Sequence, residues 1–160
     1  DIPRFKELDI IASMQPVHAT SDMNMAGDRV GSQRLKGAYA WQKFIQQGTI
    51  IASGSDFPVE LAEPFHGYHA AVMRQDHNNL PKDGWLPGER MTPTQALRSF
   101  TLDAAYAAHQ ENVIGSLEPG KWADFILIDR DIISGDQTQT WKTKVLQTWI
   151  AGELKFRATN

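Results

Sequence analysis

Ile50-Ile51-Ala52-Ser53-Gly54-Ser55-Asp56-Phe57-Pro58 decides how this chain is read. Apolar and small residues run without alternation into a polar pair, and Pro58 ends the run. That pattern predicts a short strand over 50–55, buried on both faces and stopping at a sharp turn. Asp56 falls where the strand stops. In barrels of parallel strands with outer helices, the carboxyl ends of the strands carry the chemistry. A carboxylate at that point is a candidate general acid or base, and equally a residue that turns use as a cap.

Ile10-Ile11-Ala12-Ser13-Met14-Gln15-Pro16 repeats the opening forty positions upstream and also ends in polar residues and a proline. Strand, loop, helix and strand at this spacing make a βα repeat with an enlarged loop. Two neighbouring strands then present polar side chains at their carboxyl ends, Gln15 and His18 on one, Ser55 and Asp56 on the other.

The intervening sequence divides in two. Val17 to Arg29 is polar and lacks a clear period, which predicts a long loop over a site with at most a short helical turn. Ser32 reads as the N-cap of one helix carrying Leu35, Ala38, Trp41 and Ile45, ended by Gly48. Before the first strand, Asp1, Pro3 and Phe5 outline a short helix. Beyond Pro58 the chain is irregular to about Phe65, then helical through His66, His69 and Met73. Residues 76–89 form a loop. Thr92-Pro93-Thr94-Gln95 is a capping box opening a helix, and Thr101 to Asp103 breaks that helix in two. From Ile114 the texture becomes β. Leu117-Glu118-Pro119-Gly120 is a turn, Asp124 to Asp129 a strand, and Lys144 to Phe156 a hairpin about Ala151-Gly152.

With 160 residues the length suits one domain, and 41% hydrophobic content can form a core. A net charge of −3 with both signs scattered disfavours nucleic acid as a partner. No apolar run is long enough to span a membrane. With no cysteine, any metal must be held by imidazole, carboxylate or water. Two parallel strands cannot close a barrel, so the expectation is the tail of a larger protein.

Three stretches carry a family resemblance: Ala12-Ser13-Met14-Gln15-Pro16-Val17-His18, Gly54-Ser55-Asp56-Phe57-Pro58-Val59-Glu60 and Ile114-Gly115-Ser116-Leu117-Glu118-Pro119-Gly120-Lys121-Trp122-Ala123-Asp124-Phe125. On these the chain resembles the carboxyl-terminal part of an amidohydrolase of family 3, the N-substituted formamide deformylase-like branch. The resemblance implies an α/β fold: the C-terminal portion of a (β/α)8 TIM barrel plus strands of a small β-sandwich. Residues 1–113 would supply strands seven and eight with their helices, and 114–160 the sandwich strands. It implies one or two divalent metals, usually zinc, most of whose ligands lie outside this sequence.

Asp56 matches the strand-eight Asp of the family, which both ligates metal and acts as general base on a metal-bound water. The implied reaction is hydrolysis of an amide or formamide-type C–N bond, other than a peptide bond, in a small molecule. The alternative is a catalytically silent piece that only associates with the missing part of the barrel. His18 and Gln15, just past strand seven, can face the substrate, and Arg29 in the long loop can meet a substrate anion. His66 and His69 have ligand-like spacing without an evident third partner, which disfavours a metal role. His77 and His109 read as surface or capping residues. Trp85 can shape a pocket mouth or pack under a loop. A homo-oligomer is compatible with all of this. A cytoplasmic location is favoured, with export left open.

Overall fold

The computed structural model describes residues 1–159. Helix α1 (Ile2–Glu7) starts with Pro3 in its first turn, where a missing N–H costs nothing. Strands β1 (Ala12–Met14) and β2 (Ile51–Ser53) pair in parallel, with Ala12 opposite Ile51, Ser13 opposite Ala52 and Met14 opposite Ser53. The pairing is staggered by one residue from the sequence repeat, so Ala12 and Ile51 share the covered face. Ser13 is exposed and Ala52 half-buried, in place of the two-sided burial expected.

Between the strands lie three helices: α2 (Pro16–Asp22), α3 (Ala26–Leu35) and α4 (Trp41–Gln46). The expected long loop over Val17 to Arg29 is therefore helical. Pro16 sits at the first helical position of α2, and Ala19 is completely buried. About two turns of mostly polar residues are too short to display a period, which is why the sequence hid them. The single helix expected from Ser32 to Gly48 is also interrupted. The chain leaves the helix over residues 36–40, with Tyr39 at φ +49° just before α4, whereas Gly31, at φ +74°, breaks α3 directly ahead of Ser32, where the sequence places the helix start. Gly48, at φ +81°, closes α4 as expected of a glycine in the left-handed region.

Helix α4 drives Trp41 and Phe44 into the core beside Ile51, Phe65, Tyr68 and Met91, and Phe5 meets Phe44 edge-on at 4.9 Å. Each such ring contributes about 1.5–3 kcal/mol when fully withdrawn from water. Helix α5 (Pro64–Met73) follows β2 and packs on α2. Helix α6 (Pro93–Phe100) opens with the capping box: Gln95 N–H donates to Thr92 Oγ1 at 3.2 Å, and Thr92 N–H donates to Gln95 Oε1 at 2.8 Å. Thr101 leaves the helical region, and α7 (Leu102–Ala107) continues in a new direction.

The last third forms a separate antiparallel sheet in the order β3 (Phe125–Ile128), β4 (Val145–Ile150), β5 (Glu153–Arg157). Ala151 and Gly152, at φ +51° and +76°, make the tight β4–β5 turn. Phe125 stacks on Trp149 opposite, with centroids 5.6 Å apart. Between β3 and β4 a short 3-10 helix, Gln137–Lys142, packs on α5. Tyr68 Oη donates to the Ile132 carbonyl at 2.5 Å, and His69 Nδ1 lies 3.2 Å from Thr140 Oγ1.

Candidate functional site

The carboxyl ends of β1 and β2 lie side by side, because the strands are parallel and in register at Met14 and Ser53. Gln15 follows β1 immediately as the N-cap of α2, in an extended conformation. His18 comes in the first turn of α2. Asp56 lies three residues beyond β2, at φ +59°, a left-handed conformation that Asp tolerates better than most residues. Its backbone carbonyl accepts from Val59 N–H at 2.8 Å, which closes the turn.

His18 Nε2 faces Asp56 Oδ2 at 3.9 Å. The Asp56 side chain is 52% exposed and that of His18 26%. The imidazole nitrogen itself is shielded from water and has no hydrogen-bond partner among the described residues; the same holds for Ser53 Oγ. One helical turn further on, Ser21 Oγ donates to Glu60 Oε1 at 2.6 Å. The loop after β2 is thus tied to α2 by the Ser21–Glu60 bond and approaches it at His18.

Beside the pair is a depression of about 170 Å³ walled by Gln15, His18, Tyr39 and Trp41. Its aromatic side is braced from behind. Arg74, fully buried, places its guanidinium 4.3 Å from the Trp41 ring centroid and 5.2 Å from that of Trp85. Its Nη1 donates to the Tyr39 carbonyl at 3.0 Å and its Nε to the Trp85 carbonyl at 2.5 Å. Tyr39 Oη donates to Asp22; burial and that carboxylate push its pKa up to about 12, so the phenol stays neutral. Trp85 therefore packs beneath the wall and lies outside the depression's lining.

Of the residues expected to act together, Asp56, His18 and Gln15 are brought to one edge. Arg29 is exposed on α3 and makes no ion pair or side-chain hydrogen bond among the described residues. His69 is fully buried and serves packing between α5 and the 3-10 helix. His77, expected at the surface, is exposed yet stacked parallel on Trp141 at 4.4 Å, with His66 against it at 4.4 Å. Sequence reasoning missed this grouping and the Arg74 brace, because each joins residues from separate elements. His109 is exposed, at φ +56°.

The carboxylate of Asp56 suits one ligand position of a divalent cation, as a hard oxygen donor open to solvent. Among the described residues no three His, Asp or Glu side chains group to hold a metal. The residues present fit a metal as part of a ligand set.

Comparison with known proteins agrees with this architecture. Protein LONG AFTER FAR-RED 3 of Arabidopsis thaliana is 36% identical over 159 residues, covering 96% of this chain and 26% of that protein. The N-substituted formamide deformylase of Arthrobacter pascens is 28% identical over 118 residues, covering 74% of this chain and 21% of that enzyme. The chain thus spans about a quarter of the length of these curated relatives. An uncharacterized metal-dependent hydrolase from Pyrococcus furiosus superposes with TM-score 0.70 at 33% identity, over 83% of this chain and 26% of that one. The family model described as "Amidohydrolase family" matches residues 1–156, nearly the whole chain, so the polar strand ends at Gln15 and Asp56 are those of a chain that belongs to the amidohydrolase family.

Proposed function

We propose that this chain forms the last two strands of a (β/α)8 barrel together with strands of an adjoining β-sandwich, and that the assembled protein hydrolyses C–N bonds of amide or formamide type in small molecules. Residues 1–113 make up the barrel portion and 114–160 the sandwich portion. The observation that carries the reading is the half-exposed Asp56 carboxylate at the end of β2, facing His18 Nε2 at 3.9 Å beside a depression large enough for a small polar group. The name of the Arthrobacter relative supports a formamide-type substrate.

Asp56 and other ligands outside this sequence would hold one or two divalent ions, zinc by the resemblance, and such an ion polarises a carbonyl and brings a water's pKa toward neutrality. Asp56 takes the proton of the attacking water and delivers it to the leaving nitrogen. The C–O bond forms first, and the C–N bond breaks once the nitrogen has received its proton, so that the products are an acid and an amine. Its left-handed backbone aims the carboxylate off the strand axis toward α2. His18 is placed to orient Asp56 or a substrate carbonyl, with one ring nitrogen shielded from competing water. Gln15 offers an amide N–H to the same carbonyl. Arg29, exposed on α3 and outside the lining of the depression, is left for an anionic substituent of a larger substrate.

The test is a panel of N-alkyl formamides, acetamides and dipeptides, assayed for amine release by the intact protein with and without a chelator. The reading expects chelator-sensitive cleavage of simple amides and none of dipeptides. Dipeptide cleavage at comparable rates, or chelator-insensitive turnover, would contradict it.

A further inference from the structure

A cavity of about 330 Å³ opens between α2, the loop after β2 and the turn that follows α5. Its polar lining is Thr20, Ser21, Glu60, His66, Asp76 and His77, with Val17 and the exposed Leu61 supplying apolar surface. No lysine or arginine is among the described residues that line it. Glu60 uses Oε1 to accept from Ser21, and Asp76 uses Oδ1 to accept from the N–H groups of Asn78 and Leu80. Each carboxylate keeps a second oxygen that no side chain or backbone group among the described residues engages. Burial and the adjacent His66 hold the His77 imidazole below its usual range, so at neutral pH it is uncharged. His77 is fixed flat on Trp141, and His66 stands edge-on to it.

The lining is therefore rich in acceptors, carries two negative charges and includes an apolar margin. That chemistry selects a donor-rich cation with a hydrocarbon part. Glu60 lies four residues beyond Asp56, and the Ser21–Glu60 bond is one helical turn from the His18–Asp56 pair. We propose that this cavity binds the organic ammonium ion that C–N hydrolysis releases, holding it by Glu60 and Asp76 against the His66–His77 wall. The identity of the occupant rests on the hydrolase reading; the cation selectivity does not. At neutral pH the released amine takes up the proton shed by the acid product, so it arrives as R–NH₃⁺.

Calorimetric titration of the intact protein with n-butylammonium chloride, beside sodium butyrate and sodium chloride at matched ionic strength, tests this directly. Butylammonium is expected to bind saturably and butyrate not. Glu60→Gln keeps an acceptor for Ser21 and is expected to weaken butylammonium about tenfold, the size of a lost charge-assisted hydrogen bond. Leu61→Lys, at an exposed position, places a competing ammonium at the mouth and is expected to abolish binding whatever Glu60→Gln does to folding. Butyrate binding as tightly as butylammonium, no binding of either, or a Leu61→Lys protein that binds like the parent would each overturn the proposal. Turnover is not read in this titration. Loss of ammonium selectivity with amide hydrolysis intact removes this inference alone, and selective binding without hydrolysis removes the reaction and leaves the site.

Discussion

Arg74 fixes the wall beside the strand ends although it lies far from them in sequence. Its guanidinium is fully buried between two indoles, and burial lowers its pKa to about 10, so it remains a cation at neutral pH. It donates to two carbonyls, those of Tyr39 and Trp85. Arg74→Met keeps much of the packing and leaves those acceptors unpaired. We expect it to cost about 2–4 kcal/mol, read as a lower urea midpoint. A midpoint within about 0.5 kcal/mol of the parent would show that the brace is dispensable. The placement of Asp56 just past the end of β2, by contrast, was legible without a structure, because an unalternating apolar run followed by Gly54, Ser55, Asp56 and then Pro58 reads as a strand stopping at a turn. Nothing in the spacing of Tyr39, Trp41, Arg74 and Trp85 announces that they meet.

At the scale of elements, α4 begins without a side-chain cap of its own at Ala40. The buried Glu89, forty-nine residues on, supplies one: its Oε2 accepts from Gln42 N–H at 2.9 Å and Lys43 N–H at 3.3 Å, while Lys43 Nζ pairs with Oε1 at 2.7 Å. Glu89→Ala should destabilise by about 1–3 kcal/mol, which differential scanning calorimetry would register. An unchanged melting temperature would mean that α4 does not need the cap. Local caps such as Thr92-Pro93-Thr94-Gln95 are visible in sequence because donor and acceptor are three residues apart; the Glu89 cap is not, because its partners are brought by the fold. Helices α2 and α3 were missed for a related reason, being too short and polar for a period to show.

The contact of α5 with the 3-10 helix is acid-labile by the same logic. Burial lowers the His69 pKa from its ordinary 6.5, with His77 and His66 adding to the effect. The neutral form is the one that folds, so no penalty exists above about pH 6.5, and stability falls as pH drops from there toward the depressed folded value. Urea midpoints at pH 7.5 and 5.5 should differ in the parent and differ less in His69→Gln. Equal slopes for the two proteins would place the acid sensitivity elsewhere.

Across the whole molecule, large apolar side chains stay exposed on the antiparallel sheet, among them Ile126, Leu127, Leu146, Ile150 and Phe156. Contiguous exposed apolar surface of this kind suits an interaction site, and in the proposed reading other segments complete the barrel and the sandwich. The 160-residue chain prepared separately should therefore bind a hydrophobic dye and release no amine from amides above a metal-only blank; amine release would show that the chain suffices for catalysis. The parallel pair, the capping box and the final hairpin were all readable from local pattern. The grouping of His66, His77 and Trp141 was not, since it depends on how the 3-10 helix Gln137–Lys142 packs on α5. The central claim is that Asp56 moves the proton in C–N hydrolysis. Turnover and metal content of the intact protein carrying Asp56→Asn, measured on one preparation, test it most directly. The account predicts metal retained and turnover reduced about 10²–10⁴-fold, the range of a lost general base; turnover near the parent rate with metal retained would contradict it.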